Sequence, residues 1–178
     1  ITNRITAATN WPLVLRGIFL IILGTGLFGI GSQDTVNVSL LAIPALFAGI
    51  FGLIFLNKNK VDAITKNWIL MESIADIILS LAFLYMYIND KNDITNVRNI
   101  FAGFALLFAF MQFTYMFQVA QTGAPANYKV FLIRGLTAIG YGLFGVALFM
   151  QTGKDNLAFL INCIGVGPVL AGIGSILL

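Results

Sequence analysis

The sequence contains no histidine and a single cysteine, Cys163, among its 178 residues. Zinc sites are built largely from Cys and His ligands, so this composition predicts no metal centre. It also excludes Ser-His-Asp and Cys-His catalytic arrangements, and one cysteine cannot form an intrachain disulfide. We therefore expect a protein that is not an enzyme, and we interpret Cys163, which lies in an apolar run, as a small buried hydrophobic residue.

Charged residues are also scarce. They make up 10% of the chain, against about a quarter in soluble domains, while 59% of the residues are apolar. A soluble fold has too little polar surface to cover such a core, whereas lipid can cover it. The composition predicts an integral membrane protein whose first partner is the lipid bilayer, with other membrane subunits or a second copy as further candidates. The ten basic residues form no dense patch, so we expect no nucleic-acid binding.

Six apolar runs are long enough to cross a bilayer, which takes about 20 residues of helix. They are continuous, unlike the alternating segments of a membrane β-barrel. The first is too long for a signal-peptide core and contains Arg16, so it predicts a retained helix. The fold class predicted is all-α, a single membrane domain over residues 1–178. Its six spans cover roughly 11–31, 38–56, 68–88, 97–120, 130–150 and 156–178.

The distribution of Lys and Arg among the short loops predicts the orientation. One side of the membrane holds Arg4, Lys58, Lys60, Lys66 and Lys129, with Arg16 and Arg134 near it. The opposite side holds Lys91, Arg98 and Lys154, mixed with Asp34, Asp90, Asp93 and Asp155. The first side is predicted to be cytoplasmic, with both termini there, in a bacterial inner membrane. Trp11, Trp68 and Tyr128 are then predicted to be anchors at the cytoplasmic interface.

An internal repeat relates the odd spans. Span one contains LRGIFLIILGTGLFGI and span five contains IRGLTAIGYGLFGV, so both have Arg-Gly followed by Gly-x-Gly-Leu-Phe-Gly. Span three fits when Glu72 is aligned with Arg16 and Arg134. Each odd span then carries one charge, a small residue directly after it and another eight positions beyond the charge. The pattern predicts three tandem helical hairpins at 11–56, 68–120 and 130–178.

This pattern of an interfacial aromatic residue, then Leu-Arg-Gly, then spaced glycines over three hairpins resembles the HdeD family of small bacterial membrane proteins. The resemblance covers nearly the whole chain. It implies a role associated with acid resistance or stress, without a defined molecular activity. The second hairpin departs from the pattern, since Glu72 and Ser73 stand where the other two have Arg-Gly.

Four charged side chains are predicted to lie within the membrane: Arg16, Glu72, Asp76 and Arg134. Placing a charged side chain in lipid costs free energy, so such a residue indicates a function and a specific partner for its charge. If the odd helices meet, Glu72 can bridge both arginines, and pairing lowers the cost of desolvation. The cluster then either fixes helix register or forms a polar pore or a proton-responsive site, and the arginines could instead extend to the headgroups.

Asp76 follows Glu72 by one helical turn and lies on the same face. No arginine occupies its repeat-equivalent positions, Leu20 and Ala138. A carboxyl group placed there suits proton sensing or transfer unless an arginine reaches it. The alternative is a protonated Asp76 that hydrogen-bonds to a neighbouring helix.

The glycines of the spans are interpreted as positions of close helix packing. Two segments, GTGLFG and GYGLFG, match the GxGxxG pattern, but a dinucleotide site needs a strand before it and a soluble sheet. The predicted packing residues are Gly17, Gly24, Gly26, Gly29, Gly49, Gly135, Gly142, Gly145 and Gly172. The aromatic face of span four is likewise interpreted as packing, and no cofactor is predicted.

Three functions remain open from the sequence. The first is a non-enzymatic, stress-associated protein or accessory subunit of a membrane complex. The second is a small channel or carrier for protons or solutes that uses Glu72 and Asp76. The third, an enzyme acting on lipid, has the least support, since no nucleophile and base can be paired.

Overall fold

The computed structural model describes residues 10–28, 30, 36–61, 63–91, 93–122, 128–150 and 157–177, with the backbone alone at 122, 128–130, 157 and 158. Within these ranges the chain is all-helical and has no strand, as predicted. The helices are α1 (Trp11–Leu27), α2 (Ser39–Lys58), α3 (Ala63–Ile88), α4 (Ile94–Thr122), α5 (Tyr128–Met150) and α6 (Leu157–Leu177).

The helix bounds differ from the predicted spans in two places. Helix α1 ends at Leu27 rather than near residue 31, and Phe28 after it is extended, with ψ of 128°. The glycine-rich sequence beyond Leu27 favours this early end, because glycine is a poor helix former. Helix α3 begins at Ala63, five residues before its apolar run, so Lys66 lies in a helix rather than a loop. A helix can extend beyond its apolar run, because the polar side chains of the extension are solvated by water.

Five of the helices, α2 to α6, are long and apolar enough to cross a membrane. Helix α1, with 17 residues, is shorter. These features fit a multi-pass membrane protein.

The turn between α3 and α4 shows why the chain leaves the helix there. Asp90 has a left-handed backbone, with φ of 52°, and the N–H of Lys91 donates to the carbonyl of Met86 at 3.0 Å. This is the hydrogen-bond pattern of a Schellman motif, which satisfies the last carbonyls of a helix. Asp93 then caps α4, because its Oδ1 accepts from the N–H of Asn96 at 3.0 Å.

The six helices form a closed ring, in which each helix packs against the next and α1 packs against α6. The most extensive contacts join α1 to α6, α2 to α3 and α4 to α5, and the least extensive join α3 to α4. The most extensive packing therefore lies between different predicted hairpins rather than within them. The charged positions of α1, α3 and α5 face the interior of the ring, since Arg16, Glu72 and Arg134 are buried.

Apolar side chains cover both the outside of the ring and one half of its interior. Large apolar side chains are exposed on every helix, for example Ile88 at 77% and Phe149 at 72%. A soluble monomer rarely exposes so much contiguous apolar surface. Inside, the half containing the C-terminal end of α1 is filled by buried apolar residues. They include Leu27, Leu41, Phe83, Val97, Leu148 and Ile161.

Candidate functional site: a buried charge cluster

The structure brings the four predicted intramembrane charges together in the other half of the bundle. Helix α1 supplies Arg16, α3 supplies Glu72 and Asp76, and α5 supplies Arg134. Their exposed fractions are 2%, 3%, 1% and 7%. The arginines therefore do not extend to the bundle surface, and the two cations and two anions balance within a single cluster. We call these four residues the charge cluster.

Glu72 lies between the two arginines, as its repeat position suggested. Its Oε2 lies 3.1 Å from Nη1 of Arg16, and its Oε1 lies 2.7 Å from Nη1 of Arg134. Each carboxylate oxygen thus serves a different arginine, so neither pair has the bidentate geometry that a guanidinium can give. The carboxylate ties α1 and α5 to α3.

Asp76 is also reached by an arginine. Nη2 of Arg16 donates to its Oδ2 at 3.1 Å, so the fork of Arg16 is divided between two carboxylates one helical turn apart. The repeat alignment offered no arginine for Asp76, because α1 carries Leu20 at the equivalent position. The long side chain of Arg16 covers the turn that separates the two positions.

Two uncharged residues complete the network, and the sequence analysis did not assign either of them to the cluster. Gln112 of α4 donates from Nε2 to Oε1 of Glu72 at 2.7 Å and accepts from Nη1 of Arg134 at 2.9 Å. Ser175 of α6 accepts from Nη1 of Arg16 at 2.9 Å. Both are polar side chains inside apolar spans, and that isolation was the signal that could have found them.

An aromatic side chain also contacts the cluster. The guanidinium of Arg134 lies 4.4 Å from the centre of the Tyr115 ring, a cation–π contact on α4. Tyr115 in turn meets the Trp68 ring edge-on, with centroids 5.5 Å apart. Helix α4 therefore stabilises Arg134 both through Gln112 and through an aromatic face.

The three predicted interface anchors differ in placement. Trp68 is only 5% exposed, and its Nε1 donates to Oε1 of Gln118 at 3.2 Å. It packs inside the bundle between α3 and α4, where its indole contacts a ring and an acceptor on α4. Trp11 is 43% exposed, with Nζ of Lys58 5.0 Å from its ring centre. The Tyr128 side chain lies outside the described residues.

The small residues of the repeat, directly after each charge or eight positions beyond it, lie where two helices are in close contact. The carbonyl oxygen of Gly172 lies 2.5 Å from where a Cβ of Gly17 would be, and the relationship is reciprocal. On α3, Ser80 Oγ donates to the carbonyl of Ala42 on α2 at 2.8 Å. On α5, a Cβ at Gly135 would lie 3.0 Å from the Met116 side chain of α4. All three seams join an odd helix to the even helix of another hairpin.

The predicted packing glycines are not equally constrained. A Cβ would meet backbone or side-chain atoms below 3.0 Å at Gly17, Gly24, Gly49 and Gly172, and at 3.0 Å at Gly145. At Gly26 and Gly142 the nearest atom would lie 3.6 Å away, an ordinary contact that does not require glycine. Gly29 lies outside the described residues. At Gly52 and Gly165, which the repeat pattern did not indicate as packing positions, a Cβ would also lie less than 3.0 Å from another atom.

Two small cavities adjoin the charge cluster. One, of about 20 Å³, is lined at one end by Arg16, Glu72, Asp76 and Gln112, and elsewhere by Tyr141 and apolar side chains of α1, α3, α4 and α6. The second, of about 10 Å³, lies beside Arg134, Thr137 and Ser175. Roughly 10–15 Å³ of such space holds one water molecule. Nε of Arg16 and of Arg134 are buried without an acceptor among the described residues, so each is a donor that a water there would satisfy.

The arrangement limits the chemistry of the cluster. Both arginines and Glu72 are fixed by several partners, whereas Asp76 has one arginine contact and borders the larger cavity. Asp76 is therefore the group with the most freedom to exchange a proton. The hydroxyl protons of Ser73 and Ser175 are not directed at the carboxylates, since Ser73 donates to the carbonyl of Ile69 and Ser175 donates to that of Ala171.

Comparisons with known proteins leave the cluster to be interpreted from its own geometry. The chain matches no protein-family model, and no curated protein and no solved structure matches it. The resemblance to the HdeD family therefore remains a prediction from the sequence pattern.

Proposed function

We propose that the protein crosses the bacterial inner membrane six times, with both termini in the cytoplasm. Helix α1 is about 26 Å long at 1.5 Å per residue, near the lower limit for a span. It packs between α2 and α6, and its exposed side chains include Trp11, Val14, Ile18 and Ile22. A membrane that accommodates the other five helices can accommodate α1 as well.

The proposed orientation rests on the loop charges. Lys58, Lys60 and Lys66 lie at the end of the bundle where α1 begins and α2 ends. At the other end, the turn after α3 carries Asp90, Lys91 and Asp93. An excess of Lys and Arg on short loops favours the cytoplasm, so the end with the charge cluster is the cytoplasmic half.

Within this topology, the protein acts as a non-enzymatic accessory or stress-associated membrane protein of the HdeD kind rather than as a steady conductor. The observation that carries this is the asymmetry of the interior. The charge cluster lies in one half, while the other half is closed by apolar residues such as Leu27, Phe83 and Leu148. The larger cavity extends from the cluster to Phe101, whose ring centroid lies 5.0 Å from that of Phe83 in the apolar half. A proton or solute path needs polar groups at every depth, and this apolar half interrupts one.

A carrier for protons or small solutes is the second candidate. Asp76 and Tyr141 both line the larger cavity, so a proton held at Asp76 has space for water beside it. A carrier also needs an opening toward the far side, which would require the apolar half to rearrange.

Liposomes that enclose a pH-sensitive dye separate the two candidates. An accessory protein should leak protons no faster than its Asp76→Asn variant, in which the side chain keeps its shape but cannot ionise. A leak in the wild type that Asp76→Asn abolishes and that Ser80→Ala leaves unchanged would overturn the accessory role. Purification in mild detergent from native membranes, followed by identification of co-purifying subunits, tests that role directly.

A further inference from the structure

The loop between α2 and α3 forms a basic pocket that contains none of the residues of the charge cluster. The pocket has a volume of about 400 Å³ and opens at the end of the bundle. Its walls carry three lysines, Lys58 in the last turn of α2, Lys60 in the loop and Lys66 in the first turn of α3, and two asparagines. This volume is within the range of sites that hold small molecules or headgroups.

The three lysines are exposed, and none has a carboxylate partner within 4 Å among the described residues. Asp62 belongs to the same loop but lies outside those residues. From residue 57 to residue 66 the sequence holds three lysines and one aspartate, so the loop has a net charge of +2. The pocket therefore attracts an anion, and its lysines are free to meet one.

The surface beside the pocket is apolar. Leu40, Ile43, Phe47 and Ile50 recur every three or four residues along α2, and each is between 36% and 65% exposed. Lys58 follows Phe47 by 11 residues and Leu40 by 18, spacings that return to the same side of a helix. An apolar chain lying on this face would thus point its head toward Lys58.

Trp11 lies beside the lysine pocket and contacts α2. Its ring is 43% exposed and lies 5.0 Å from Nζ of Lys58, and it contacts Phe51 of α2 edge-on at 5.9 Å. A tryptophan between a lysine and an apolar face suits the boundary between headgroups and acyl chains. A free anion would make use of the lysines alone, whereas a lipid would make use of all three features.

We propose that this pocket, with the outer face of α2, binds an anionic phospholipid. The anionic phosphate of the headgroup lies among Lys58, Lys60 and Lys66, and an acyl chain lies along α2. Basic pockets beside transmembrane helices bind anionic headgroups in this way. The proposal requires that the bundle lie in a membrane, as proposed above, but it does not depend on whether the protein is an accessory subunit or a carrier.

The test uses the full chain in nanodiscs and the quenching of tryptophan fluorescence by brominated lipid. Brominated phosphatidylglycerol should quench Trp11 at a lower mole fraction than brominated phosphatidylcholine does. Trp68 is buried, so Trp11→Phe should remove most of the quenching. Incorporation into nanodiscs, verified first, separates a failure of the membrane assignment from a failure of the lipid site.

Each lysine should contribute about fivefold to the preference for the anionic lipid. Lys60→Gln, which changes a loop position outside both helices, should lower the preference about fivefold. The triple variant Lys58→Gln, Lys60→Gln, Lys66→Gln should lower it at least about 20-fold, and high salt should do the same in the wild type. Lys91→Gln, at the opposite end, is the matched control and should leave the preference unchanged.

Three results would overturn the proposal. One is an unchanged preference in both Lys60→Gln and the triple variant. Another is an equal loss in Lys91→Gln, which would reveal a non-specific charge effect. The third is full displacement of phosphatidylglycerol by inorganic phosphate at constant ionic strength, which would indicate a site for soluble anions.

Discussion

Arg16 binds Asp76 across the interface of α1 and α3, with Nη2 3.1 Å from Oδ2, although the repeat gives Asp76 no arginine of its own. The same guanidinium binds Glu72 through Nη1. Arg16 is thus shared between two carboxylates, while Arg134 binds Glu72 alone among the carboxylates that the structure describes. This unequal sharing decides which substitutions leave a buried charge without a partner.

Replacing Glu72 with Gln should lower the free energy of unfolding by about 3–5 kcal/mol, because Arg134 would lose the carboxylate that it binds while remaining buried. Arg16 would still have Asp76. Thermal unfolding of the purified protein in detergent measures the effect. In a double-mutant cycle, Arg134→Met with Glu72→Gln should cost less than the sum of the single changes. Strictly additive values would show that the two residues do not interact.

Asp76→Asn should destabilise the bundle less than Glu72→Gln does. Arg16 keeps Glu72 as its ion-pair partner, and the amide oxygen of Asn can still accept from Nη2. We expect a cost of about 1–3 kcal/mol, the range for one weakened buried polar contact. The same unfolding assay compares the two variants side by side, and an equal or larger loss in Asp76→Asn would contradict the sharing of Arg16.

Gly17→Ala should destabilise the seam between α1 and α6. The added Cβ would lie 2.5 Å from the carbonyl oxygen of Gly172, so the two backbones must separate, at about 1–3 kcal/mol. Gly26→Ala on the same helix is the matched control, since its Cβ would meet only Leu41, at 3.6 Å. The control should be neutral or slightly stabilising in thermal unfolding. Similar losses in both variants would indicate a general effect of glycine in α1.

Trp68→Ala should cost about 3–5 kcal/mol, the range for removing a large buried side chain, together with the hydrogen bond to Gln118. Trp11→Ala removes a half-exposed ring and should cost much less. Urea or thermal unfolding, followed by circular dichroism, compares them. Equal effects would place both indoles at the lipid interface, as the sequence had suggested.

Single cysteines should report the orientation of the loops in a background lacking Cys163. An impermeant thiol reagent added outside intact spheroplasts should label Asp93→Cys but not Lys60→Cys, because the basic loop is proposed to be cytoplasmic. Lysis before labelling should expose both positions. Labelling of Lys60→Cys alone in intact cells would reverse the charge argument.

Much of the candidate site could be predicted from the sequence, because charged residues in apolar spans stand out individually. Arg16, Glu72 and Arg134 share a repeat position, which suggested that Glu72 could lie between two arginines. Gln112 and Ser175 were not assigned to the cluster. An uncharged polar side chain in a span can satisfy its hydrogen bonds with several alternative partners, including a carbonyl of its own helix. Only the neighbouring helix decides which alternative is used.

The sequence by itself determined the all-helical class, the apolar segments and the identity of the charges, since these depend on composition and on local periodicity. The tertiary structure alone decided that the closest seams run between hairpins and that Trp68 is buried. It also decided that Arg16 spans two carboxylates. These features depend on which helix faces come within a few ångströms of each other, and long side chains such as Arg16 reach across more than one turn. A repeat alignment shows which positions are equivalent, so it could bring Glu72 together with the two arginines, but it could not predict a contact between positions that are not equivalent, such as Arg16 with Asp76.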